Sequence, residues 1–148
     1  MASGKGNTFI TDWLNHVFNN AAIPLVGDAA GLQPAATVGS LYVSLHTANP
    51  GAAGTQTTSE AAYISYARVA VARTAGGWTV SGQSVSNTAA VIFPQCTGGS
   101  ETETYVGIGT ATSGAGKLLY FGQLTASLAV SNLITPEFLA NQLVITEA

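Results

Sequence analysis

Residues 41–73 read LYVSLHTANPGAAGTQTTSEAAYISYARVAVAR, and the fold turns on how this stretch alternates. Leu41, Val43 and Leu45 lie on one side of an extended chain while Tyr42, Ser44 and His46 lie on the other, the period-two pattern of a half-buried strand. Asn49-Pro50-Gly51 ends that strand with turn chemistry, since Asn bonds its own backbone and Gly takes the conformations a turn needs. From Tyr66 the alternation resumes, with Ala67, Val69 and Val71 on one face and Tyr66, Arg68, Ala70 and Ala72 on the other. Two strands, Leu41–His46 and Ser65–Arg73, joined by an exposed Gly/Thr-rich loop over 48–62, therefore predict a β-rich core.

Downstream of Gly76-Gly77 the pattern repeats in shorter units. Strands are expected at Trp78–Val80, Val85–Asn87, Ala90–Phe93, Thr104–Ile108, Leu118–Phe121, Leu124–Val130 and Gln142–Thr146, with Gly-rich turns marked by Ser81-Gly82, Gly98-Gly99 and Ser113-Gly114-Ala115-Gly116. Many short strands at this spacing argue for an antiparallel β-sandwich or a small barrel. Upstream the period changes. Ile10, Trp13, Leu14, Val17 and Phe18 fall on one helical stripe, which predicts a short amphipathic helix over 8–20, capped by Thr8 or Thr11 with Asp12 in its first turn. Residues 1–7 read as a mobile tail or an arm that orders on a partner. Ala21–Ser40, punctuated by Pro24, Gly27, Gly31, Pro34 and Gly39, reads as an extended connection. The expected organisation is an N-terminal arm over 1–40 carrying the helix, then a β-sandwich domain over 41–148.

Composition bounds function. At 148 residues the chain has one domain's worth of sequence, and only 7% of it is charged, against about 25% in ordinary soluble proteins. Such a surface has little self-repulsion and suits an assembly. The net charge is −3, and the basic residues are Lys5, Arg68, Arg73 and Lys117, too few to neutralise a phosphate backbone, so direct nucleic-acid binding is not expected. A single cysteine, Cys96, allows no intrachain disulfide and no cysteine-based zinc cluster. MASGKGN lacks the apolar core of a signal peptide and no apolar run approaches 18 residues, so synthesis in a reducing cytoplasm and no membrane association are expected.

The residues that carry chemistry elsewhere do not assemble into a motif here. Asp12 and His16 share the polar side of the helix with no third ligand, so a solvated face is expected. His46 closes a strand and is expected to make a structural hydrogen bond, because spacing supplies no nucleophile for it. Glu101 and Glu103 would point the same way, as paired carboxylates do in glycosidases, but they follow Gly98-Gly99-Ser100 and read as a solvated turn flank. Gly107-Ile108-Gly109 begins a dinucleotide fingerprint that fails at Thr112, and Gly114-Ala115-Gly116-Lys117 fails as a phosphate loop at Ala111 and Leu118. Cys96 reads as a small, semi-buried residue. The expectation is a non-enzyme with no catalytic residue, no cofactor and no metal. Stacking of Trp78, Tyr42 or Tyr63 on sugars would instead make a carbohydrate-binding module, against which stands the usual burial of such rings.

The order Asp12-Trp13-Leu14-Asn15-His16-Val17, then Leu41-Tyr42-Val43-Ser44-Leu45-His46-Thr47, Asn49-Pro50-Gly51, Tyr66-Ala67-Arg68-Val69 and Gly77-Trp78 resembles a family of tailed-bacteriophage virion proteins. These are usually labelled tail fibre proteins, and some are better described as capsid decoration or cement proteins. The resemblance continues through Phe93-Pro94, Gly107-Ile108-Gly109, Leu118-Leu119-Tyr120 and Thr135-Pro136. It implies a non-enzymatic, jelly-roll-like β-sandwich present in many copies on a virion and made in the bacterial host cytoplasm. The leading expectation is a decoration protein on the capsid surface that binds the major capsid protein and copies of itself as a dimer or trimer. A tail-fibre component is the alternative. Trp13, Phe18, Pro24, Pro34, Pro50 and Tyr63, on the arm and around the loop over 48–62, are the expected partner contacts.

Overall fold

A computed structural model describes residues 4–148, so the first three residues of the expected tail lie outside the described residues. One helix, α1 (Asn7–Asn19), precedes nine strands: β1 (Ser40–His46), β2 (Val69–Ala72), β3 (Trp78–Ser81), β4 (Ser84–Asn87), β5 (Val91–Ile92), β6 (Ser100–Gly109), β7 (Leu118–Ser131), β8 (Glu137–Phe138) and β9 (Val144–Thr146). The chain is mainly β, with antiparallel sheets and one short N-terminal helix, and is compatible with the jelly-roll expectation. It divides into two compact units. One gathers the described part of Met1–Ser40 with Ala72–Ala90 and Leu139–Ala148, and the other gathers Leu41–Val71 with Val91–Phe138.

In the first unit, Ile10, Leu14 and Phe18 recur every fourth residue on α1 and are buried, as the stripe predicts. The Phe18 ring meets Trp78 edge to face, centroids 4.8 Å apart. The strands behind it form the sheet β3-β4-β9, joined at one end by a turn in which Gly82 takes a φ of +57°. Three details of the helix differ from expectation. It starts at Asn7 after an extended Gly6 with no side-chain cap, because Thr11 is spent on the Asn7 and Gly82 carbonyls; its first turn therefore has no acid, and Asp12 falls in the middle. His16 turns away from a pairing with Asp12 and places Nδ1 2.7 Å from the Ala21 carbonyl. At the C-terminus the Arg73 guanidinium donates to the Val17 and His16 carbonyls, where the helix dipole favours positive charge. Residues 1–40 thus do not stand apart as an arm, since α1 needs β3 to cover its apolar face. Ala21–Ser40 is not fully extended either: Ile23 and Leu32 exchange backbone bonds of 2.9 Å, and Asp28 caps the loop between them.

The second unit holds the sheet β2-β1-β6-β7 and the two-stranded pair β5-β8. β1 runs antiparallel to β6 from Tyr42 opposite Gly109 to His46 opposite Tyr105. The second strand of the opening stretch is shorter than its alternation suggests, Val69–Ala72, because Tyr66 and Arg68 leave the extended pattern to enter the interior. β6 begins at Ser100, ahead of expectation, and the two strands expected at Leu118–Phe121 and Leu124–Val130 are one, β7. They are fused across an irregularity in which Leu124–Ser127 lie opposite Thr104.

Candidate functional site

The side of β1 that carries Ser44 and His46 is as buried as the side that carries Val43 and Leu45, because the segment over 48–62 folds back on it. That segment is not the exposed loop its Gly/Thr content suggests; Pro50, Gln56 and Ala61 are buried. Gln56 pins it. Its Oε1 accepts the Ala111 N–H at 2.9 Å, its own backbone N–H donates to the Gly116 carbonyl, and a Cβ on Gly109 or Gly116 would run into its side chain. His46 Nδ1 lies 2.8 Å from the Thr58 carbonyl and Nε2 lies 2.9 Å from Ser44 Oγ. Burial holds the His46 pKa below its ordinary value, so the ring is neutral: Nδ1–H donates to Thr58 and Nε2 accepts from Ser44.

Glu60 ends the segment as the centre of a charged cluster. Arg68 meets it in a bidentate pair, Nε to Oε1 at 2.6 Å and Nη2 to Oε2 at 2.7 Å. The same guanidinium donates to the Ala111 and Gly114 carbonyls, and Tyr66 Oη donates to Glu60 Oε1 while accepting the Leu45 N–H. The bond to Glu60 raises the Arg68 pKa, and burial raises that of Tyr66, so the guanidinium stays charged and the phenol stays neutral. This is how a buried charge is made tolerable: one opposite charge, with the remaining donors satisfied.

Glu101 and Glu103 are not a solvated flank. Glu101 Oε1 accepts the Ala62 and Tyr63 N–H groups at 2.8 and 2.7 Å, and Glu103 is fully buried with neither carboxyl oxygen hydrogen-bonded among the described residues. Burial first, then the neighbouring Glu101, pushes Glu103 up to about 8, which keeps it protonated at neutral pH. No group of three or more metal-ligating side chains occurs among the described residues, and none of their helices is long and apolar enough to cross a membrane.

The expected partner contacts divide. Trp13, at 36% exposure, and the exposed Pro24 and Pro34 are on the surface. Phe18, Pro50 and Tyr63 are corrections: Phe18 packs on Trp78, Pro50 is buried in the folded-back segment, and the Tyr63 ring is buried with its hydroxyl donating to the Pro94 carbonyl. Trp78 and Tyr63 are likewise too buried to stack on a sugar. The exposed apolar residues are ones that periodicity does not reveal. Leu25 and Leu133, 79% and 69% exposed, hold left-handed φ values of 66° and 72°, a conformation leucine rarely adopts. Each combines a sparsely populated backbone conformation with a side chain left in water. Glu60, Arg68 and Gln56 also escape sequence reasoning, although in a chain with eleven charged residues an opposite pair eight positions apart was the available signal.

No curated protein matches this sequence. Over residues 5–146 it matches the family described as "Podophage GP4 fiber I protein gp80", and the chain belongs to this family of tailed-phage virion structural proteins.

Proposed function

We propose that the chain is a structural subunit of a tail fibre, present in several copies and joined to its neighbours through uncharged surface. The observation that carries this reading is the family match over nearly the whole chain to a protein described as a podophage fibre protein. The surface supports it: Leu25, Leu133, Ile64 and Ile92 are all more than half exposed, as expected of a protein whose apolar side chains are covered by assembly. The reading is non-catalytic. Ser44 and His46 stand at the separation of a nucleophile and its base, but both are fully buried and the third member is a main-chain carbonyl. Their chemistry is to hold the segment over 48–62 in place.

Decoration of the capsid surface, through contacts with the major capsid protein, is the second reading. It is favoured by strained, exposed leucines in both compact units, since a clamp on a lattice needs more than one adhesive surface. Gold-labelled antibody on intact particles separates the two. Label on the tail is expected, and label confined to the head would replace the fibre reading with the decoration reading.

A further inference from the structure

The structure assigns a proton-dependent latch to one side of β6: the chain over 62–65 lies closed on Glu101 and Glu103 while Glu103 keeps its proton, and opens as that proton is lost. Glu101 and Glu103 stand two residues apart on an extended strand, so they share a side of β6. The chain over 62–65 crosses that side, where Glu101 fixes it by accepting the Ala62 and Tyr63 N–H groups. Beneath it, Glu103 has no accessible surface, and no donor of another residue reaches its carboxyl oxygens among the described residues.

A carboxylate in that place would have neither water nor a donor to stabilise its charge, so the group is neutral while it is covered. The groups that face it make ionisation harder. Glu101, on the same strand, is a like charge, and Tyr63 in the covering chain and Cys96 beside Tyr63 offer no positive charge. β7 sets Leu128 opposite Glu103 and carries no charge of its own. Glu60, just before the covering chain, already holds Arg68 in its bidentate pair. With no counter-charge among these groups, Glu103 gains from ionising only when its cover lifts and water reaches it.

The cover is suited to lifting. Its ends are fixed, by the Ala61 N–H on the Leu45 carbonyl and by the Tyr66 hydroxyl between Leu45 and Glu60. Its middle is not relaxed: Ser65 holds a left-handed φ of 83°, and Ile64 is more than half exposed. A short span with a sparsely populated backbone conformation and an apolar side chain already in water is one that opens locally ahead of the sheet. The closed form holds the Glu103 proton up to about 8, whereas the open form releases it at a carboxyl's ordinary value near 4.5. Opening is therefore hardest below that window, grows easier by about tenfold per pH unit through it, and levels off above it. Acid stiffens this surface and neutral conditions loosen it, wherever on the virion the protein sits.

Amide hydrogen exchange of the purified full chain, followed by NMR and corrected for the intrinsic pH dependence of exchange, tests the latch. The Ala62 and Tyr63 amides, whose acceptor is Glu101, should lose protection about hundredfold between about pH 5 and pH 7. They should also exchange faster than the amides of the β1-β6 ladder and be indifferent to urea below the unfolding transition, as a local opening requires. In Glu103→Gln, and in Glu103→Met should the first variant not fold, protection should be the same at both pH values. If neither variant folds, the wild-type slope and its indifference to urea decide. Wild-type protection that does not change with pH, a slope that survives in a folded variant, or exchange that keeps pace with the ladder and quickens with urea would each overturn the inference. Particle labelling is unaffected by any of these results, so failure here is distinct from failure of the fibre reading.

Discussion

The two compact units bury polar groups in different ways. In the unit built on α1, β3, β4 and β9, the centre is aromatic and aliphatic, Phe18 on Trp78 with Ile10 and Leu14, and its polar side chains serve main-chain ends. Asn87 is typical, donating to the Ala89 and Leu139 carbonyls and accepting the Leu143 N–H. In the unit built on β1, β6 and β7, side chains satisfy one another: Glu60 with Arg68 and Tyr66, Ser44 with His46. The first unit depends on volume and the second on matched partners, so substitutions that keep volume and substitutions that keep charge should separate them.

The largest expected effect is in the second unit. Arg68→Ala leaves the Glu60 carboxylate in a largely buried place without its partner and should lower unfolding stability by about 3–5 kcal/mol in a urea titration. Arg68→Lys should rescue little of that loss, because one ammonium cannot reproduce the bidentate pair and the two carbonyl contacts. In the first unit, Phe18→Ala should cost about 3 kcal/mol, but Phe18→Leu only about 1 kcal/mol, since much of the apolar volume is kept. Equal losses from the two conservative changes would erase the distinction.

Gly107→Ala should follow at about 1–3 kcal/mol, the range for overpacking. A Cβ there would stand 2.6 Å from His46 Nε2 and 2.8 Å from both Leu118 Cδ1 and Ser44 Oγ, so the neutral histidine would have to leave its bonds. A thermal melt of this variant against Gly122→Ala, where a Cβ meets nothing, isolates the effect.

The smallest expected effect is one of pH. Because the folded Glu103 carboxyl has its pKa raised to about 8, the native state holds a proton that the unfolded chain releases near its ordinary carboxylate value. The contribution of this group to stability is therefore complete below the unfolded pKa and falls as pH rises toward 8. Melting temperature should decline over that window, and Glu103→Gln, which stays neutral, should flatten the decline. An unchanged slope in the variant would assign the pH dependence to other groups.

Much of the first unit was legible because its signals are periodic. The α1 stripe and the strands at Trp78 and Val85 announce themselves by spacing, whereas the helix start did not: Thr11 found other acceptors instead of capping, and Asp12 falls beyond the first turn. In the second unit, β1 was legible to the residue at Leu41–His46, apart from Ser40. The folded-back segment was not, since Gly/Thr-rich composition describes an exposed loop equally well and only Gln56, inserted against Gly109 and Gly116, distinguishes the two. Glu103 was misread for a related reason: Gly99 does take a left-handed φ of +83°, but Gly98 bridges Ile64 instead of making a turn, and the strand that starts at Ser100 turns the second carboxyl inward. The contact residues chosen by type failed where aromatics were needed for the core, at Phe18 and Tyr63, while the exposed leucines stood in turns that no periodicity marks.

An image reconstruction of the intact virion tests the central claim most directly. The account predicts density for this fold in repeated copies along the tail. The same density found only on the head shell would contradict it.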